Sequence, residues 1–152
     1  AQQILLLLAL VQGADAGQRL RIVSLAPSLT ELAYAAGEAM RPGDPNISNA
    51  LGYTMADRKR QLPRAEALIR EALALRPDNA AFLDSLGWVR YRRGDRAAAL
   101  PSLERAWKLS REPEIAAHWG EVLWRNGERD RARAIWARAL LLAPQSKPLR
   151  KA

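Results

Sequence analysis

Small and apolar residues recur along most of this chain at helical spacing, in three blocks of nearly equal length. Leu51-Gly52-Tyr53, Leu86-Gly87-Trp88 and Trp119-Gly120-Glu121 share one pattern, with their glycines 35 and 33 residues apart. Ala65, Ala99 and Ala132 follow at spacings of 34 and 33, as do Ala72, Ala106 and Ala139, and as do Ile69, Leu103 and Trp136. A period near 34 is the length of one helix-turn-helix unit, which cannot bury its apolar face alone and stacks on its neighbours. The small residues mark close approaches of two helices, and Leu, Ile and Trp fill the seam between them. Gly94 and Gly127 stand where the first helix of a block ends, a place for left-handed backbone. Asp95 is placed to cap the helix that follows, and Pro101 falls inside it, where a lost backbone hydrogen bond predicts a bend. The pattern predicts an all-α chain, a helix-turn-helix repeat solenoid of about three units at 46–78, 79–112 and 113–144, with an N-terminal helical extension or cap.

The second block reads LGWVRYRRGDRAAALPSLERAWKL and the third WGEVLWRNGERDRARAIWARALLLAP. This set resembles the tetratricopeptide repeat (TPR), from about Asn46 to Pro144. Block one departs from it by lacking the turn glycine and carrying an extra residue around Arg58-Lys59-Arg60; it ends at Pro77, and block two ends two residues late, at Pro113. The resemblance implies a protein-binding scaffold whose first helices line a concave groove. Carried over position by position, that groove comprises Asn49, Tyr53, Asp84, Trp88, Tyr91, Arg92, Glu121, Trp124 and Arg125. Aromatic and Arg side chains are the types that dominate interface energetics. For Trp88, Tyr91 and Trp124, packing between helices is an equal alternative, whereas Trp107, Trp119 and Trp136 occupy packing positions of the motif. The Lys/Asn/Arg clamp of chaperone-tail-binding members is not reproduced, because Asn49, Tyr53 and Ser85 stand where it would lie.

Residues 1–45 follow other patterns. ILLLLALV at 4–11, with Ala14-Asp15-Ala16 before Gly17, resembles the end of a secretory signal. The run is far shorter than the roughly 20 residues that span a bilayer; it offers a route to membrane association, and the alternative is a helix docked on the first repeat. RIVSLAPSLTELAYAAG at 21–37 resembles the opening strand, loop and helix of periplasmic cobalamin-binding proteins of ABC importers. Residues 21–25 are strand-like, and Ser28-Leu29-Thr30-Glu31 is a capping box opening a helix to about Ala39. The importer fold needs two α/β lobes, so this segment is better read as a helical cap on the solenoid, joined through Pro42-Gly43-Asp44-Pro45. The opening ALGYTMADR is similar to the tail of periplasmic repeat lipoproteins that act as adaptors. Periplasm is the expected location, with cytoplasm as the alternative.

Composition narrows the chemistry. With 152 residues and no cysteine the chain suits one domain without disulfides or thiolate metal sites. His118 is the sole histidine, and no glycine-rich phosphate loop, G-x-S-x-G elbow or H-E-x-x-H is present, so neither catalysis nor a cofactor is expected. The net charge is +8, and it is uneven: residues 46–152 carry 21 of the 24 Lys and Arg but 12 of the 16 Asp and Glu, and 145–152 form a basic tail. Such a charge would attract an acidic partner protein or peptide or an anionic membrane surface, but with many Arg residues beside Glu it is better read as ordinary solvated helix faces. Nucleic acid is a weaker candidate, because no reading element accompanies the charge. The expected function is a scaffold or adaptor holding a partner segment in the groove. The alternatives are a fragment of a periplasmic cobalamin- or solute-binding protein fused to repeats, and electrostatic association with nucleic acid.

Overall fold

A computed structural model of the chain describes residues 28–151, which form eight helices and no strand. The apolar run at 4–11 and the strand expected at 21–25 lie outside the described residues. Helix α1 (Leu29–Met40) opens on the capping box: Ser28 Oγ accepts the Glu31 amide at 3.1 Å, and Glu31 Oε2 accepts the Ser28 amide at 2.8 Å. The same carboxylate receives Arg60 at 3.5 Å from the first repeat, so α1 is tied to the solenoid by charge as well as by packing of Tyr34.

Three helix pairs follow: α2 (Pro45–Asp57) with α3 (Leu62–Leu75), α4 (Ala80–Arg92) with α5 (Arg96–Leu109), and α6 (Pro113–Arg125) with α7 (Arg129–Leu142). Side-chain caps start three of them. Asp44 accepts from the Asn46 amide, Asn79 from Phe82 and Asp95 from Ala98, at 2.9, 3.0 and 2.9 Å. Pro101 lies within α5, which runs through it as a single helix. The turns of the second and third pairs use Gly94 and Gly127 at φ +94° and +90°. The first pair, with no glycine and one more residue, turns on Lys59 and Gln61 at φ 53° and 42°, a conformation costing about 1–2 kcal/mol per non-glycine residue.

Within each pair the periodic glycine meets the periodic large residue. A Cβ on Gly52 would lie 2.7 Å from the Ala65 carbonyl oxygen, and one on Gly87 would lie 2.4 Å from Leu103 Cγ. The matching alanines are interior: Ala65, Ala72, Ala99, Ala106, Ala132 and Ala139 are at most 1% exposed. Between pairs, α2, α4 and α6 pack on one another in series, while the backbones of α3, α5 and α7 stay apart from one another. First helices therefore form the inner layer of a curved stack. The middle one, α4, is buried along Phe82–Val89 without a break.

Helix α8 (Lys147–Lys151) closes the described chain. The expected basic tail at 145–152 thus contributes more than charge in its described part, because Leu149 buries itself against α6 and α7.

Candidate protein-binding groove

The inner layer brings side chains of all three repeats into contact. Asp84 on α4 holds His118 on α6, with Nδ1 3.0 and 2.9 Å from its two carboxylate oxygens. The other ring nitrogen, Nε2, is 3.4 Å from the Tyr53 hydroxyl on α2. With Nδ1–H donating to the carboxylate, Nε2 is left as the acceptor for the phenol. Trp88 stacks on the same imidazole, with centroids 4.3 Å apart. Burial pushes the Tyr53 hydroxyl up to about 12, helped by the negative charges of Asp57, Asp84 and Glu114 and opposed by Arg92. A phenol held protonated in this way is a hydrogen-bond donor and not a nucleophile.

The nine residues expected in the groove divide accordingly. Asp84 and Trp88 are interior, 7% and 6% exposed, and stand behind the groove surface, not on it. For Trp88 this is the packed alternative of the two, and Asp84, expected at the groove, is covered as well: the His118 side chain of the next repeat lies against both. Asn49 and Tyr53 are half-buried beside them. Tyr91, Arg92, Glu121 and Trp124 are also half-buried, and Arg125 is exposed. Tyr91 donates its hydroxyl to Glu121 Oε1 at 2.9 Å, linking α4 to α6; burial raises its pKa first, and the hydrogen bond to Glu121 adds to this. Arg92 lies over Trp88, 5.4 Å from the ring centroid, and donates to the Ala56 and Asp57 carbonyls at 3.3 and 2.6 Å. It thereby caps the end of α2. Trp124 packs on Trp136 of α7, 5.8 Å between centroids, with Arg129 and Arg133 over its ring. Of the three tryptophans at packing positions, Trp107 and Trp119 are buried and Trp136 is half-buried.

Sequence reasoning placed His118 outside the groove set. Its signal was nonetheless present, since Asp84 and His118 are 34 residues apart, one repeat, and so face each other on adjacent first helices. A second unforeseen cluster holds the helix pairs together: Glu66, 8% exposed, takes both Arg90 and Arg93, and Arg90 reaches on to the Ala98 carbonyl at 3.3 Å. Among the described residues no group of His, Cys, Asp and Glu is arranged to hold a metal, and no helix is long and apolar enough to cross a membrane.

Known structures share this arrangement. A thermophilic TPR protein of Thermus thermophilus, TTC0263, superposes with a TM-score of 0.69 at 26% identity, covering 79% of this chain and 67% of that one. The chain folds as a tetratricopeptide-repeat solenoid. TPR repeat-containing protein PA4667 of Pseudomonas aeruginosa is 45% identical over 83 residues, which make up 55% of this chain and 14% of that protein. The TPR protein YrrB, described as having an unusual peptide-binding site, matches with a TM-score of 0.57 at 21% identity, over 75% of this chain and 59% of that one. No protein-family model matches the chain. TPR solenoids are protein-interaction scaffolds, and the helical layers described above present the kind of extended inner surface through which repeat proteins bind.

Proposed function

We propose that this TPR solenoid binds an extended segment of another protein along its inner layer, as an adaptor. The observation that carries this reading is the surface made jointly by α4 and α6, where Tyr91, Arg92, Glu121, Trp124 and Arg125 remain accessible around a fixed interior. Its aromatic and Arg content is that of interface hot spots. The Asp84–His118–Tyr53 network and the Arg92 cap hold the surface in shape before a partner arrives, which lowers the ordering cost of binding. The peptide-binding site named for YrrB supports a peptide-like occupant. The signal-like run at 4–16 and the likeness of ALGYTMADR to periplasmic adaptor tails support a periplasmic setting.

A photo-crosslinking side chain in place of Glu114, an exposed residue of α6 that faces Tyr53, tests the groove against one in place of Arg138, exposed on α7. The expected result is one partner segment crosslinked from position 114 and absent from 138. Its synthetic peptide should then bind the intact chain. Crosslinking from 138 alone, or a peptide that does not bind, overturns the reading.

A further inference from the structure

Next to the groove, on the edge where the first helices end, lies an open cavity of about 290 Å³ lined by Lys59, Tyr91, Arg92, Gly94, Arg96 and Arg125. Its residues come from all three repeats: Lys59 from the turn after α2, Gly94 from the turn after α4, Arg96 from the first position of α5, and Arg125 from the end of α6. Four side-chain cations share this space and no carboxylate lines it. Among the described residues none of the four forms an ion pair, although eight Arg or Lys pairs with carboxylates occur elsewhere. Of the acidic groups near these cations in sequence, Glu121 is engaged by the Tyr91 hydroxyl, Asp95 by the Ala98 amide and Glu128 by Asn126 and Arg131, while the Asp57 carboxylate does not line the cavity.

Helix ends account for part of this charge. The C-termini of α2, α4 and α6 each carry a partial charge of roughly −0.5, so three of them offset well under half of the four cations. Arg92 uses donors on the Ala56 and Asp57 carbonyls, and Arg96 uses one on the Arg125 carbonyl at 2.9 Å. Those bonds fix the two guanidiniums while leaving further N–H donors on each, the paired geometry that a planar two-oxygen acceptor matches. The cavity has room for an acidic side chain together with several waters, each needing about 30 Å³.

The geometry points to this cavity as a carboxylate-binding subsite that receives a Glu or Asp side chain of the segment lying in the groove. The inference rests on the proposed peptide-binding function and adds the charge of the peptide to it. Because Tyr91, Arg92 and Arg125 belong to both the groove surface and the cavity, a segment along α4 and α6 passes directly from one to the other.

Hexaglutamate is the probe, with hexaglutamine and inorganic phosphate as comparisons, titrated into the full chain at low salt and followed by NMR and calorimetry. Hexaglutamate should shift the Gly94 amide and the side-chain Nε–H signals of Arg92 and Arg96, and hexaglutamine should not. The double variant Lys59→Ala/Arg96→Ala should bind hexaglutamate about tenfold more weakly or worse, while keeping its thermal unfolding, and Arg138→Ala should bind as the parent does. Absence of binding, equal weakening by Arg138→Ala, or tighter binding of phosphate than of hexaglutamate overturns the carboxylate subsite. A partner segment crosslinked from position 114 would survive that result, so the two failures are distinguishable.

Discussion

The His118 imidazole sits between the carboxylate of Asp84 and the hydroxyl of Tyr53, with Nδ1 2.9 Å from Asp84 Oδ2, so that one ring joins the first helices of three successive repeats. Repeat solenoids are held by nearest-neighbour interfaces; here α2 and α6, which have α4 between them, are also linked directly. Buried networks of this kind exceed the sum of their parts when fully satisfied, and removing one member strands the others. Asp84→Ala and His118→Ala should each destabilise the chain. Their double-mutant cycle should return a coupling of about 1–3 kcal/mol. Urea denaturation of the four proteins measures it, and a coupling near zero would mean that the pair acts as an ordinary surface contact.

The helix pairs were legible in sequence because their signals are local. The capping box at Ser28 and the Asp95 cap each depend on residues within one turn, and the period of Gly52, Gly87 and Gly120 repeats a seam formed within each helix pair. Side-chain contacts between repeats are not local. Whether Trp88 is a contact residue or core depends on what the next repeat sets against it, and here the His118 ring stacks on it. The same is true of the cationic cavity: Lys59 lies in a turn and Arg96 opens a second helix, outside the first-helix positions from which the groove was read.

Two kinds of glycine should respond differently to one methyl group. Gly87→Ala drives a Cβ to within 2.4 Å of Leu103 Cγ and 3.1 Å of the Ala99 carbonyl oxygen, inside a packed seam. Overpacking of this sort costs about 1–3 kcal/mol and forces α4 away from α5. Gly127→Ala meets nothing within 4 Å and is penalised only through its φ of +90°, by about 1–2 kcal/mol. Thermal melts should show both losses. Near-ultraviolet circular dichroism should change for Gly87→Ala, which disturbs the packing of Trp88 and its neighbours, and stay unchanged for Gly127→Ala.

The first turn is where stability can be gained. Gln61 adopts φ 42° and makes no side-chain capping hydrogen bond to α3. Gln61→Gly removes about 1–2 kcal/mol of left-handed strain and adds about 0.5–1 kcal/mol of backbone entropy in the unfolded chain. The expected net gain is roughly 0.5 kcal/mol, seen as a higher urea midpoint with an unchanged slope. A lower midpoint would show that the Gln61 side chain contributes more than its backbone costs.

Tyr53 sets how the fold responds to alkali. Its pKa is 10.0 in an exposed phenol and about 12 here, because burial and then Asp57, Asp84 and Glu114 disfavour the phenolate. Between those values the unfolded chain releases a proton that the folded chain retains, so stability falls as pH rises through the window and is unaffected by this group below it. Two pKa steps correspond to nearly 3 kcal/mol, but part of the ring meets solvent, and screening reduces the expected loss to about 1–2 kcal/mol. Tyr91 shifts in the same direction, so the parent must be compared with Tyr53→Phe, which keeps Tyr91 and deletes only the Tyr53 hydroxyl. Urea titrations across the alkaline range should show the parent losing stability faster than Tyr53→Phe. Parallel curves would mean that Tyr53 ionises equally readily in the folded and unfolded chain, and that burial and the neighbouring negative charges do not act on its hydroxyl.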